Sequence, residues 1–281
     1  MECLKYLKKI NMIYDCFSYW DEDLLLDLRL NILNDHVDFF VIVEGNKTWQ
    51  NNPKKLKFNI NNFQKFKDKI IYMPVEDLPD GDNPYLRENH QRNCILRGLN
   101  KAQINDFIII SDLDEIPNPD AIKIFTKEMK YAVFNQKHFY YKFNLQSKNF
   151  PYWLGSRICV FNELKSPQWL RDLKFKKRPF WKFNKRRLNN ILPNGGWHFC
   201  NLKTFDKLKY KYENLCETND PVVFKEKIDE KYLNEESIKK SIENRKDIIG
   251  RKDEFIKINV DETFPKYLLK NIDKYKEEWI I

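Results

Sequence analysis

Ile108-Ile109-Ile110-Ser111-Asp112-Leu113-Asp114-Glu115-Ile116-Pro117 is the stretch on which the fold turns. Three consecutive isoleucines read as the middle of a buried strand, because a strand covered on both faces is apolar at every position. The strand runs directly into two aspartates one residue apart. Carboxylates at a strand end lie at the C-terminal edge of a sheet, where open α/β folds bind their ligands. Two carboxylates this close repel each other unless a cation lies between them. Hard oxygen ligands in small number suit Mg²⁺ or Mn²⁺, with the remaining positions left to water and phosphate. Asp112, Asp114 and Glu115 are therefore the metal candidates. An acidic turn after a strand fits the same run.

Working outward, residues 13–17, 37–43, 69–75 and 106–111 read as strands. Between them, Leu24, Leu25, Leu28 and Ile32 recur at helical spacing behind Asp21 and Asp23. Residues 83–100 form a second helical pattern, with Pro84 near its start and Leu86, Ile95, Leu96 and Leu99 as its expected buried face. Beyond the acidic run, Asn118-Pro119 is an N-cap followed by an N1 proline, with Ala121, Ile124, Phe125 and Met129 on the apolar side. Alternating strands and helices over 12–130 predict a Rossmann-like α/β fold, a mostly parallel sheet with helices on both faces. Residues 131–143 alternate and predict more sheet, 144–200 read as a basic, aromatic, loop-rich stretch, and the chain is charged with helical spacing from about Phe205. The expectation is one domain over 12–281 in two halves, 12–130 and 131–281, the second with a helical C-terminal region.

The 281 residues suffice for a sizeable core, and 42% hydrophobic with 15% aromatic content marks a folded chain. With 7 glycines and neither G-x-G-x-x-G nor G-x-x-x-x-G-K-[ST], neither common glycine-rich phosphate loop is present. Lys+Arg of 50 against Asp+Glu of 41 gives a net charge of +9, which suits nucleic acid or a small anionic substrate. The charge is dispersed except for Lys174, Lys176, Lys177, Arg178 and Lys182, Lys185, Arg186, Arg187. Phe175, Phe180, Trp181 and Phe183 interleave these clusters and suit stacking on bases or sugars, and a solvated surface reads the same way. The six cysteines lack C-x-x-C spacing and read as reduced, buried thiols. No apolar run approaches the ~18–20 residues of a membrane span. Residues 1–11 carry Lys5, Lys8 and Lys9 without a continuous apolar core, so the expected location is cytoplasmic.

Three further constellations bear on chemistry. Arg87, Arg92 and Arg97 precede the acidic run, and one of them can reach a diphosphate. Surface pairing with Glu88 is the plainer alternative. Gly195-Gly196-Trp197-His198-Phe199 combines glycines that permit close backbone approach, a flat indole for a sugar ring and a possible imidazole ligand. Pro151-Tyr152-Trp153-Leu154-Gly155-Ser156-Arg157 suits a cleft wall, and Trp153 suits ordinary core packing equally well.

Taken in order, several words resemble glycosyltransferase family 17. They are Met12-Ile13-Tyr14-Asp15-Cys16-Phe17, Val41-Ile42-Val43-Glu44, Arg87-Glu88-Asn89 with Gln91-Arg92-Asn93, the acidic run, Trp153-Leu154-Gly155 and Gly195-Gly196-Trp197-His198-Phe199. Lys246-Asp247-Ile248-Ile249-Gly250-Arg251 and Phe264-Pro265-Lys266-Tyr267-Leu268 extend the resemblance to the C-terminus. It implies a GT-A fold, a UDP-sugar donor (UDP-GlcNAc), Mn²⁺ or Mg²⁺, a glycan or glycoprotein acceptor such as an N-glycan, and inversion at the anomeric carbon. It also implies that 12–130 is a nucleotide-binding half and 131–281 an acceptor half. By resemblance Asp112 and Asp114 are a D-x-D pair, with Asp114 on the metal and Asp112 on the ribose or a metal-bound water. His198 is then a metal or diphosphate contact, and Glu44 lies near the uridine. Arg92, Trp153 and Trp197 complete the expected donor contacts.

The family's usual Ser-Phe-x-His-type word after G-G-W-H-F is replaced here by Lys209-Tyr210-Lys211-Tyr212-Glu213, so the resemblance leaves the acceptor open. The catalytic base is likewise open, with Glu115, Asp172 and Glu213 as candidates. Two rivals stand. A haloacid dehalogenase-type phosphatase also places D-x-D after an apolar strand, but its motif continues with Thr where this chain has Ile116. The other is a basic nucleic-acid-binding protein without catalytic activity.

Overall fold

The computed structural model describes residues 11–175, 190–216 and 233–281. Lys176 to Arg187, with Phe180, Trp181 and Phe183, lie outside the described residues.

Four strands form a parallel core: β1 (Ile13–Ser18), β2 (Phe39–Gly45), β3 (Ile70–Val75) and β4 (Phe107–Asp112). β1 lies between β2 and β4, and β3 flanks β2, giving the order β4-β1-β2-β3. The chain winds outward from β1 to β3, then returns to the other side of β1 as β4. This reversal opens a crevice between the C-terminal ends of β1 and β4, the position at which open α/β sheets bind ligands.

Beyond β4 the sheet becomes mixed. β5 (Glu115–Pro117) follows the acidic turn, and β6 (Tyr131–Tyr140), β7 (Leu145–Ser147), β8 (Tyr152–Val160), β9 (Ile191–Cys200) and β10 (Phe255–Lys257) complete it. β8 joins β4 and β6 antiparallel, and β9 joins β6 parallel and β5 antiparallel. The stretch read as loop-rich thus contains three strands, of which β8 and β9 are nine and ten residues long. Glycine and proline within β8 and β9 (Gly155, Pro193, Gly195, Gly196) read as loop residues and mask the strand pattern.

Both faces of the parallel core are covered, as the near-continuous apolar strands require. Phe17, Phe40, Ile42 and Ile109 pack in one cluster with α1 (Asp23–Leu33). Their strand neighbours Tyr14, Cys16, Val41, Val43, Ile108 and Ile110 pack in another, with Ile95, Leu99 and Leu170. Ile95 belongs to α3 (Ile95–Gly98), and Leu170 to α5 (Pro167–Asp172).

The helix expected over 83–100 is broken at Cys94 into α2 (Pro84–Asn93) and α3. Leu86 and Leu96 are 50% and 41% exposed, against expectation, and α2 instead buries Arg87, Gln91 and Arg92. Gln91 and Arg92 point inward because they border the crevice, and Arg87 because it ties down the loops at Trp49 and Gly81. The helix after Asn118 is short, α4 (Pro119–Ile122), capped by Asn118 as predicted, and Ile124 lies exposed beyond it. In the C-terminal region, α6 (Phe205–Asn214), α7 (Glu235–Glu243) and α8 (Lys266–Lys270) bear out the helical spacing. β10 interrupts them and pairs with β7. Cys16, Cys94, Cys159, Cys200 and Cys216 are free thiols. Among the described residues no helix is long and apolar enough to cross a membrane.

Candidate active site

A cavity of about 380 Å³ opens at the crevice. The C-terminal end of β1 supplies Ser18, Tyr19 and Trp20, and the acidic turn supplies Asp112, Asp114 and Glu115. Two words of sequence far apart in the chain meet here. β5 pairs with β9 so that Glu115 lies opposite His198 and Pro117 opposite Gly196. Gly196 permits that approach, and Gly195 permits the approach of β6 on the other side of β9. A Cβ on Gly195 would stand 2.4 Å from the Asn135 backbone nitrogen, and one on Gly196 would stand 2.1 Å from the Ile116 carbonyl oxygen. Gly196 also has φ +128°, a conformation other residues rarely adopt.

The acidic turn is held from beneath by a buried arginine. Arg29 of α1 donates to both oxygens of Asp15, at 2.7 and 2.5 Å. It also donates to the carbonyls of Leu113 and Glu115, at 3.2 and 2.6 Å. An arginine inside the apolar face of an amphipathic helix would be costly alone; with a bidentate carboxylate and backbone acceptors it is satisfied.

Asp112 accepts from Arg92 at 3.1 Å on one oxygen and from Arg171 at 2.8 Å on the other. Burial would raise its pKa, but the guanidinium groups of Arg171 and Arg92 outweigh burial and hold it well below the usual carboxylate range. Arg171 also donates to both oxygens of Glu115, at 2.6 and 3.1 Å, and Trp153 Nε1 donates to Glu115 at 2.9 Å.

On the opposite side, Asp114 Oδ1 faces His198 Nε2 at 3.4 Å. Burial opposes charge on both groups, yet each stabilises the other, so the carboxyl is lowered and the imidazole raised. His138 stacks on His198 with ring centroids 4.7 Å apart. Burial, then the neighbouring His198, pushes His138 down to about 3, which keeps it neutral.

The expected site residues divide. Arg92, Asp112, Asp114, Glu115, Trp153 and His198 all border the cavity. Glu44 does not. It is wholly buried and binds Lys54 Nζ, the backbone N–H groups of Lys57 and Phe58, and the Tyr72 hydroxyl. It anchors a loop rather than contacting a ligand. Trp197 is 6% exposed, packs in the core and donates to the Thr263 carbonyl, so it offers no sugar platform. Trp153, at 42%, exposes a face. Asp172, which accepts from Gln168, and the exposed Glu213 do not line the cavity. Arg87 is a structural tie to the carbonyls of Trp49 and Gly81, and Arg97 pairs with Asp77 on the surface.

Sequence reading missed Arg171, Trp20 and His138. For Arg171 a signal existed: Ser166-Pro167 is a cap followed by an N1 proline, and Ser166 does cap α5. His138 carried no local mark, because its place beside His198 comes from the parallel pairing of β6 with β9.

Comparison with known proteins follows the same outline. The chain is 26% identical over 284 residues to a β-1,4-mannosyl-glycoprotein 4-β-N-acetylglucosaminyltransferase of Rattus norvegicus, covering 90% of this chain and 51% of that protein. The Mus musculus protein of the same name matches to the same extent. The Homo sapiens protein of that name is 34% identical over 109 residues, 35% of this chain and 20% of that protein. The chain thus spans about half the length of the rat and mouse relatives. The profile of glycosyltransferase family 17 matches residues 3–277, and the chain belongs to that family.

Proposed function

We propose that the chain is an inverting, metal-dependent glycosyltransferase of GT-A architecture. In this reading it transfers GlcNAc from UDP-GlcNAc to a hydroxyl of an oligosaccharide or glycoprotein acceptor. The observation that carries the reading is the cavity at the β1/β4 crevice. Asp114 and His198 face each other there at 3.4 Å, and two guanidinium groups converge on Asp112. A carboxylate oxygen and an imidazole nitrogen so placed are a fitting donor pair for Mn²⁺, and Asp114 and His198 would hold it. The ion would neutralise charge on the diphosphate leaving group. Arg92 and Arg171 carry the planar N–H pairs that recognise phosphate oxygens, and Trp153 presents a flat face to a pyranose. Glu115, with both oxygens bonded to Arg171, orients that arginine. The choice of GlcNAc follows the names of the relatives.

The phosphatase alternative needs a free nucleophilic carboxylate at Asp112, whereas both of its oxygens accept from guanidinium groups. The test is UDP release with Mn²⁺ from UDP-GlcNAc, UDP-Glc, UDP-Gal and UDP-GalNAc, with and without oligosaccharides. It is joined by calorimetry of UDP with Mn²⁺ on the Asp114→Asn variant. Release from UDP-GlcNAc and loss of about tenfold or more in the variant's affinity are expected. Release confined to another donor removes the sugar assignment. Undiminished UDP–Mn²⁺ affinity in a folded variant removes the metal assignment.

A further inference from the structure

A second cavity, of about 410 Å³, adjoins the first and shares Trp20 with it. Three segments build it: the turn after β1, the loop at 53–57, and the start of α6. Trp20 is its aromatic centre. Trp49 meets the indole edge-on with centroids 5.4 Å apart, Tyr210 lies at 6.1 Å, and Lys54 Nζ stands 5.5 Å from the ring centroid.

The charges around that platform do not cancel. Lys54 is consumed by Glu44, and Asp21 by Lys203. Lys55, Lys57 and Lys207 remain on the wall, against Asp206. All three are exposed, and Lys207 Nζ donates to the Asp21 carbonyl. No acidic side chain among the described residues pairs with them. The loop carrying Lys55 and Lys57 is fixed rather than loose. The buried Glu44 accepts from the Lys57 N–H at 2.7 Å and the Phe58 N–H at 3.0 Å. A wholly buried carboxylate thus serves to present a basic edge beside an indole.

We infer that this second cavity is the acceptor subsite and that it selects an anionic saccharide. An uncharged ring of the acceptor stacks on Trp20, and a carboxylate or phosphate on the adjoining sugar meets Lys55, Lys57 and Lys207. The inference rests on the glycosyltransferase reading, since the shared Trp20 is what connects this subsite to the donor cavity. Flat apolar faces bind pyranoses, and ammonium groups at a solvent-facing edge attract an anion with an affinity that salt screens.

The test compares chitotetraose, which is neutral, with a hyaluronan tetrasaccharide and 6-O-phosphorylated chitotetraose. Each is titrated into the protein with UDP and Mn²⁺ present, with tryptophan fluorescence and calorimetry as readouts. At low salt the anionic sugars are expected to bind at least about tenfold tighter than the neutral one, equal to ~1.4 kcal/mol. The carboxylate and phosphate arms show which anion is preferred. The advantage should shrink as salt is raised and disappear in Lys55→Gln/Lys57→Gln/Lys207→Gln, with UDP–Mn²⁺ affinity and melting temperature unchanged. Equal binding of neutral and anionic sugars, a preference that survives in the variant, no binding of any of the three, or tighter binding of a deoxythymidine oligonucleotide would each overturn the inference. Failure of the wild type to bind UDP with Mn²⁺ would instead count against the glycosyltransferase reading.

Discussion

Arg29 holds Asp15 in a two-pronged, fully buried ion pair and spends its remaining N–H group on the backbone of the acidic turn. The pair joins the middle of α1 to the middle of β1, and through the turn it sets where Asp112 and Asp114 stand. Removing one partner leaves a buried charge unpaired, which costs about 3–5 kcal/mol. Arg29→Met and Asp15→Asn should each lower the urea midpoint by that equivalent. Arg29→Met should also loosen the turn, visible as faster amide exchange at Leu113 to Glu115. A midpoint unchanged in either variant would show that the pair contributes nothing to the fold.

The parallel core was legible because burial on both faces forces strands such as Phe107–Asp112 to be apolar throughout. The position of the acidic run was legible because it follows such a strand directly, and Asp112 and Asp114 do border the cavity at the end of β4. Other features were not legible, for two physical reasons. Glu44 sits at a strand end just as Asp112 does, but the loop folds back over it and consumes its oxygens. Trp153 and Trp197 look alike in sequence and differ in which side of the sheet their strands turn to the cavity. Arg171 and His138 reach the site through tertiary pairing, which no local pattern records.

The two tryptophans give an independent check. Trp153 is half exposed at the cavity and Trp197 lies in the core. Trp197→Ala should destabilise the protein by about 3–5 kcal/mol, as large-to-small changes in a packed core do. Trp153→Ala should leave the melting temperature nearly unchanged and weaken donor binding by roughly fivefold or more, the loss of one stacking face. Thermal melts and UDP-GlcNAc titrations of both variants decide the matter. A large stability loss at Trp153 would move it from platform to core.

Close backbone approach at β9 predicts an equally sharp contrast between glycines. Gly196 has φ +128° and a carbonyl oxygen where its Cβ would go, whereas Gly81 has φ +116° in open space. Gly81→Ala meets backbone strain alone and should cost about 1 kcal/mol. Gly196→Ala meets strain and a backbone clash together, so a loss of more than about 3 kcal/mol or failure to fold is expected. Equal melting temperatures for the two variants would mean that β5 and β9 are not pressed together as described.

Arg171 offers the most direct view of how the cavity balances charge. It bridges Asp112 and Glu115, so an arginine from α5 offsets the charge of the acidic turn. In Arg171→Gln that cation is gone and the carboxylates face the cavity less compensated. A divalent ion alone should then bind more tightly, by roughly five- to tenfold, the equivalent of about 1 kcal/mol per screened unit charge. UDP should bind more weakly, because a guanidinium suited to its phosphates has been removed. Stability should fall by about 1–3 kcal/mol as Glu115 loses its charged donor, keeping Trp153 Nε1, and the Gly155 carbonyl keeps only Arg157. Calorimetry with Mn²⁺ alone, then with UDP added, separates the opposed effects. If both affinities fall together, Arg171 acts by shaping the turn; if metal affinity rises while nucleotide affinity falls, it is the resting counter-charge of the acidic turn and a phosphate contact once the donor is bound.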